Sequence, residues 1–224
     1  MGIVLGVMAR APVAGACKTR LASRLGDAAA AQLYGAMLLD TLDILDRTAA
    51  DRRVVFTTPD HHGVAVLERL VPSGWEVIAQ RGDGLTARLQ HALQTLHGNG
   101  NVVVLVGSDS PTLPVAALVT ALGRAADPNR VLLGPARDGG YYLIGLSKLE
   151  PRVFDDIPWS TAAVADATRR RCAELGLHVE ELPTACDVDQ PDDLELLRVD
   201  LDTDPQRAPR TATQLRAIFN AQGL

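Results

Sequence analysis

The chain has 224 residues, and its 22 basic and 27 acidic side chains leave a net charge of −5. That length fits one large α/β domain able to bury roughly 70% of its unfolded surface. The mixed charge argues against a nucleic-acid or membrane-surface footprint, though a small basic pocket for phosphates remains compatible with it. Cys17, Cys172 and Cys186 have no metal-ligand spacing and point to a reducing compartment without a zinc site. Arg10 interrupts the amino-terminal apolar stretch too early for a signal peptide, and no apolar run approaches a membrane span, so a cytoplasmic location is expected.

In chain order, residues 3–8 form an apolar strand candidate. Asp27 can cap a helix from Ala28 to about Leu45, which carries Leu33, Met37, Leu38, Leu42 and Leu45 at helical spacing. Residues 53–58 form a β-branched strand, and a helix through Val66 and Leu70 stops before Pro72. The His61-His62 pair reads as a solvated loop. Residues 75–79 form a third strand, and Leu85, Leu89, Leu93 and Leu96 mark one helix face. The run VVVLVG from Val102 has the continuous apolar character of a strand buried on both faces in a parallel sheet. A helix from Val115 to about Ala126 follows, then strands at 131–134 and 141–146, a helix at 162–175 and a strand at 178–182. Pro191 opens a helix through Leu194–Leu197. The polar, proline-containing stretch 200–210 reads as a linker to a short last helix at 213–220. This alternation predicts a three-layer α/β/α sandwich over residues 1–199, with residues 200–224 as linker and terminal helix.

Four stretches carry chemistry. Asp109, in GSDSPTLP, stands just beyond the carboxyl end of the central strand, the edge where open α/β sheets bind ligands. It suits a divalent metal or a ligand hydroxyl, or it caps a turn. ARAPVAGACKTRL, after the first strand, delivers Arg10, Gly15, Lys18, Thr19 and Arg20. Cys17 and Pro12 stand where a Walker motif needs glycine, so the loop is neither that motif nor a dinucleotide fingerprint. Its cations and backbone N–H groups could still hold a diphosphate or triphosphate, or the loop is simply solvated. GPARDGGYYLIGL contains Asp138, Gly139, Gly140 and Tyr141; Asp138 faces a site or starts a hairpin turn. CDVDQPDDL places Asp187 and Asp189 two residues apart, where an extended segment points both the same way. Their hard oxygens suit Mg2+ or Mn2+, and Asp189 could equally cap the helix at Pro191.

Together with DIPWST, these motifs resemble a bacterial family of transferase-like proteins distantly similar to 2-phospho-lactate guanylyltransferase, some of whose members are labelled glycosyltransferases. The resemblance runs from the first strand to about Leu197. It implies the nucleotide-diphospho-sugar transferase superfamily, with a glycosyltransferase-A-like sandwich and a mixed, mostly parallel sheet. By that resemblance residues 15–20 cradle nucleotide phosphates, Asp109 binds the metal, and the Asp187/Asp189 segment supplies a second ligand. Arg88 matches a family arginine. The chain departs from the family at Ala16-Cys17, where a charged residue is expected, and at Asp109, which Ser108 and Ser110 flank without a DxD partner.

The expected activity is a Mg2+- or Mn2+-dependent nucleotidyl transfer from a nucleoside triphosphate to a small phosphate or carboxylate acceptor. Asp109, Lys18 and Arg20 would carry the chemistry, and Arg10, Gly15, Lys18, Thr19, Arg20 and Arg88 would bind the nucleotide. Asp138, Gly139, Gly140, Tyr141, Trp159, Ser160 and Thr161 would line the other substrate; for Trp159, packing is the competing role. The alternative is glycosyl transfer from a nucleotide-diphospho-sugar. A non-catalytic nucleotide-binding module is a third reading, but it would not need carboxylates at two strand ends.

Overall fold

The computed structural model describes residues 2–58, 61–98, 101–124 and 127–222. Strand β1 (Ile3–Ala9) leads through a proline- and glycine-shaped loop into helices α1 (Thr19–Leu25) and α2 (Asp27–Leu45). Strand β2 (Arg52–Thr57), α3 (His61–Leu70), β3 (Glu76–Ala79), α4 (Gly84–Leu96) and β4 (Val102–Gly107) follow. Helix α5 (Val115–Leu122) precedes the hairpin β5 (Arg130–Pro135) and β6 (Tyr141–Leu146). Helix α6 (Val164–Glu174), β7 (His178–Glu181), α7 (Pro191–Thr203) and α8 (Pro209–Gln222) complete the chain.

Among the described residues seven strands lie in the order β3-β2-β1-β4-β6-β5-β7. Only β6 runs against its neighbours, so the sheet is mixed and mostly parallel. Chain order reverses between β1 and β4, and that switch point opens a crevice at the carboxyl edge. Successive β4 residues point to opposite faces, as pleating requires. Val102, Val104 and Val106 pack with α2, α3 and α5, whereas Val103 and Leu105 pack with α4 and α6. Both faces are thus covered by helices, which explains the unbroken apolar run. Truncating the buried Leu105 to alanine should cost about 2–5 kcal/mol.

A further apolar cluster joins α1, α2, α7 and α8 through Leu21, Leu33, Met37, Leu197, Leu201 and Leu215. Part of the stretch expected as a linker is therefore helix. Leu201 adds a buried position to the Leu194–Leu197 face and carries α7 to Thr203. Helix α8 begins at Pro209 because Asp40 of α2 accepts hydrogen bonds from the backbone N–H groups of Arg210 (3.3 Å) and Thr211 (2.8 Å). A carboxylate from another element thereby satisfies amides at the helix start.

Other local differences have simple causes. Residues 19–21, the end of the expected loop, open helix α1, since Leu21 is drawn into the cluster with α2. Asp27 lies in the first turn of α2 rather than at its cap, which is Gly26. The His61-His62 pair opens α3 instead of a loop, and His62 is exposed. Helix α5 ends at Leu122, before Gly123; the expected extension to Ala126 falls partly on residues 125 and 126, which lie outside the described residues.

Candidate active site

The turn after β1 brings Lys18 into the crevice. Lys18 adopts a left-handed backbone conformation (φ 47°) at the start of α1. Such a conformation is uncommon for a residue with a Cβ, and its neighbours must hold it in place. Its ammonium is anchored at the far end, donating to the Val188 carbonyl at 2.6 Å and pairing with Asp109 Oδ2 at 3.0 Å. Asp189 Oδ1 lies 3.5 Å away, and the lysine side chain is only 5% exposed. Arg20, two residues further on, donates to Asp189 Oδ2 at 2.7 Å.

Asp109 is held from behind by a chain of hydroxyls. The Arg10 amide donates to Tyr34 Oη at 2.9 Å, Tyr34 lies 2.8 Å from Ser108 Oγ, and Ser108 donates to Asp109 Oδ1 at 3.3 Å. Because the Ser108 proton goes to the carboxylate, Tyr34 is the donor in the middle bond. Burial, and the nearby Asp109 charge, push the Tyr34 phenol well above its ordinary range, so it stays neutral. A backbone bond from Val188 N to the Asp109 carbonyl, 3.0 Å, fastens the 187–189 segment to the same strand tip.

Two clefts meet there. The first, about 410 Å³, is lined by Arg10, Lys18, Thr19, Arg20, Gln80 and Arg88, among others. The second, about 540 Å³, is lined by Asp138, Gly140, Tyr141, Trp159, Thr161 and Asp187, among others. Asp109, Asp189, Arg20 and Ser160 border both. Gly15 (φ 76°) shapes the turn and is not among the residues lining the first cleft. Asp138 starts the β5–β6 turn, its Oδ1 accepting from Gly140 N at 2.7 Å, while also bordering the second cleft. Gly139 is required: it has φ 89°, and a Cβ there would lie 2.1 Å from the Ala162 carbonyl oxygen. That close approach docks the hairpin turn on the Trp159–Ala162 loop. Trp159 donates to Thr86 Oγ1 at 2.8 Å and meets Tyr141 edge-on, so it packs and lines the cleft at once.

Asp187 and Asp189 both border the second cleft, but their partners differ. Asp189 engages Lys18 and Arg20. Asp187 makes no ion pair among the described residues and sits near Asp138, Asp193 and Asp109. Burial, then those neighbouring carboxylates, raise its pKa to about 6. A half-buried carboxylate among like charges is a place that favours a cation, and Asp109, Asp187 and Asp189, which border the same cleft, are hard oxygen donors of the kind Mg2+ or Mn2+ takes. Among the described residues no three His, Cys, Asp or Glu side chains already converge as a metal cage. Mg2+ is commonly held by one or two carboxylates, with substrate phosphates completing its shell.

Three residues of the site escape a sequence reading. Tyr34 lies on the buried stripe of α2, and only its hydroxyl distinguishes it from core. Ser108 looks like turn chemistry. Gln80 follows β3 as an ordinary polar residue, yet it is buried and donates to the carbonyls of Ala9 (3.3 Å) and Phe56 (2.9 Å). Its amide N–H groups are thereby occupied, which leaves its carbonyl oxygen as the group it can offer a ligand.

Comparison with known proteins places this chain in a family. Residues 41–161 match the family described as "Uncharacterized protein conserved in bacteria (DUF2064)". The 3-phospho-D-glycerate guanylyltransferase of Phenylobacterium zucineum (strain HLK1) is 34% identical over 185 residues, covering 79% of this chain and 81% of that protein. The phosphoenolpyruvate guanylyltransferase of Mycobacterium marinum (strain ATCC BAA-535 / M) is 31% identical over 192 residues, covering 82% and 83%. The crystal structure of a candidate nucleotide-diphospho-sugar transferase from Desulfovibrio desulfuricans G20 has a TM-score of 0.86 and 32% identity, covering 99% of this chain and 96% of that one. The fold, the carboxyl-edge site and these similarities agree: the chain is a transferase and belongs to the DUF2064 family.

Proposed function

We propose that this protein transfers a nucleotidyl group from a nucleoside triphosphate to a small acceptor bearing a phosphate or carboxylate. The observation that carries the reading is the meeting of a cation-lined cleft and a carboxylate-lined cleft at Asp109. In the reaction an acceptor oxygen attacks the α-phosphorus, the bond between the α-phosphorus and its bridging oxygen breaks, and pyrophosphate leaves with that electron pair. A phosphate or carboxylate acceptor is already ionised at neutral pH, so the step requires no general base; positioning and charge neutralisation suffice. Lys18 and Arg20 would take up charge on the leaving pyrophosphate. Arg10 and Arg88 extend the cationic wall, and the Gln80 carbonyl would accept from N–H groups of the base. Asp109, Asp187 and Asp189 would hold Mg2+ or Mn2+, which when bound neutralises phosphate oxygens. Asp138, Tyr141, Trp159, Ser160 and Thr161 would border the acceptor.

The names of the guanylyltransferase relatives support this reading and make GTP the first triphosphate to test, with phosphoenolpyruvate and 3-phospho-D-glycerate as first acceptors. Each of the four triphosphates is incubated with Mg2+ and acceptor while pyrophosphate is measured. Pyrophosphate release that needs both substrates is expected. Glycosyl transfer is the second reading, supported by the aromatic Tyr141–Trp159 wall and by the name of the Desulfovibrio relative. Tighter binding of a nucleotide sugar than of every triphosphate, with free sugar but never pyrophosphate released, would establish it instead.

A further inference from the structure

We infer that Lys18 is a placeholder cation: without nucleotide its ammonium occupies the oxygens a divalent metal would use, so the metal enters only when nucleotide phosphates draw Lys18 away. The inference rests on the nucleotide- and metal-binding reading above and concerns the order in which the site fills.

The geometry is specific. The Lys18 ammonium touches three oxygens from two chain segments: Val188 O at 2.6 Å, Asp109 Oδ2 at 3.0 Å and Asp189 Oδ1 at 3.5 Å. Two carboxylates and a carbonyl around one point form the hard oxygen set that Mg2+ or Mn2+ takes, and here a monovalent cation on a tether fills it. The tether is anchored at the left-handed start of α1, beside Thr19 and Arg20 of the first cleft. The ammonium also lies 5.9 Å from the centre of the Tyr34 ring, which further favours a cation at this point. Though nearly buried, Lys18 itself lines the first cleft with Thr19, Arg20 and Arg10, and that is the side on which phosphates would meet it. Phosphates bound in that cleft would compete for it with full negative charges. The consequence is an ordered site: carboxylates that stand paired while the cleft is free of phosphate become metal ligands only beside a triphosphate.

The test needs no turnover. Binding of Mn2+ alone is measured by the loss of the free-ion electron paramagnetic resonance signal, for wild type, Lys18→Met and Lys18→Gln. Methionine keeps the stem without charge, and glutamine keeps a donor for Val188 O. Melting in EDTA identifies which variants are folded, and either one suffices. The expected result is that a folded variant binds Mn2+ roughly tenfold or more tightly than wild type. That gain should disappear when Asp109→Asn is added. Equal or weaker Mn2+ binding in the folded variants, or a gain that survives Asp109→Asn, overturns the inference. The pyrophosphate assay fails or succeeds separately. A Mn2+ gain without pyrophosphate from any triphosphate keeps the placeholder and rejects nucleotidyl transfer. Pyrophosphate release by wild type without a Mn2+ gain in the variants does the reverse.

Discussion

The two clefts that share Asp109 are built from opposite charges. The first presents Arg10, Lys18, Arg20 and Arg88 against Asp109 and Asp189. The second presents Asp109, Asp138, Asp187 and Asp189 against Arg20 alone. A polyphosphate is attracted to the first cleft and repelled from the second until cations arrive. Under the proposed nucleotidyl transfer this asymmetry would give the site a direction: leaving group on the β1–α1 side, acceptor on the β6 side, reacting phosphorus between them.

The strongest way to break the division is at the shared wall. Asp109→Asn should lower turnover by on the order of 10²–10³-fold, a size usual for losing one charge-stabilising group at a reacting centre. The fold should persist, since the variant keeps the size of the side chain. Rates near wild type at saturating nucleotide and metal would remove Asp109 from the chemistry.

Next in size is the cationic side. Lys18→Ala should weaken triphosphate binding by about 1.5–3 kcal/mol, as expected for a charge-assisted contact, and should affect monophosphate binding less. Arg20→Ala should act in the same direction but more weakly, because that side chain is 61% exposed. Calorimetric titrations that find equal losses for mono- and triphosphate would place these cations away from the distal phosphates.

On the acidic side, Asp187 ties the comparison to pH. Its folded pKa, about 6, lies above the ordinary carboxylate value, so the folded state binds this proton more tightly than the unfolded chain does. The resulting stabilisation is complete below about pH 4 and is lost as pH rises through about 6. Metal-free Asp187→Asn should therefore melt higher than wild type at pH 8, by about 1–2 kcal/mol after allowance for partial exposure, and the advantage should vanish near pH 4. Metal-supported turnover should fall below about pH 6, where a proton competes for the carboxylate. A stability difference independent of pH would mean that charge crowding does not govern Asp187.

The smallest effect is expected at the aromatic wall. Trp159→Ala should raise the acceptor KM about 2- to 12-fold, in line with the loss of an aromatic pair, while triphosphate affinity stays within about twofold. Equal losses for both substrates would mean that Trp159 acts through packing alone.

Much of the scaffold is legible in the residues themselves. Burial on both faces compels an apolar run, so β1 and β4 declare themselves, and the Asp-Gly-Gly turn between apolar runs announces the β5–β6 hairpin. Helix α1 and the end of α7 are not legible, because each depends on one or two leucines reaching a cluster formed by distant helices. Lys18, Arg20 and Asp109 stand out as charged residues that follow strands closely. Gln80, Tyr34 and Ser108 do not, since each acquires its role from a hydrogen-bond partner on another element.

By itself the sequence determined the α/β alternation, the carboxyl-edge position of Asp109 and the presence of a basic loop, because periodicity and turn chemistry are local. Tertiary structure alone decided which charges face one another. Asp187 and Asp189 are two residues apart, yet the fold pairs one with Lys18 and Arg20 and leaves the other among carboxylates. Charge pairing depends on distances across the sheet edge and on burial, and neither is encoded in the spacing of two residues along an irregular segment.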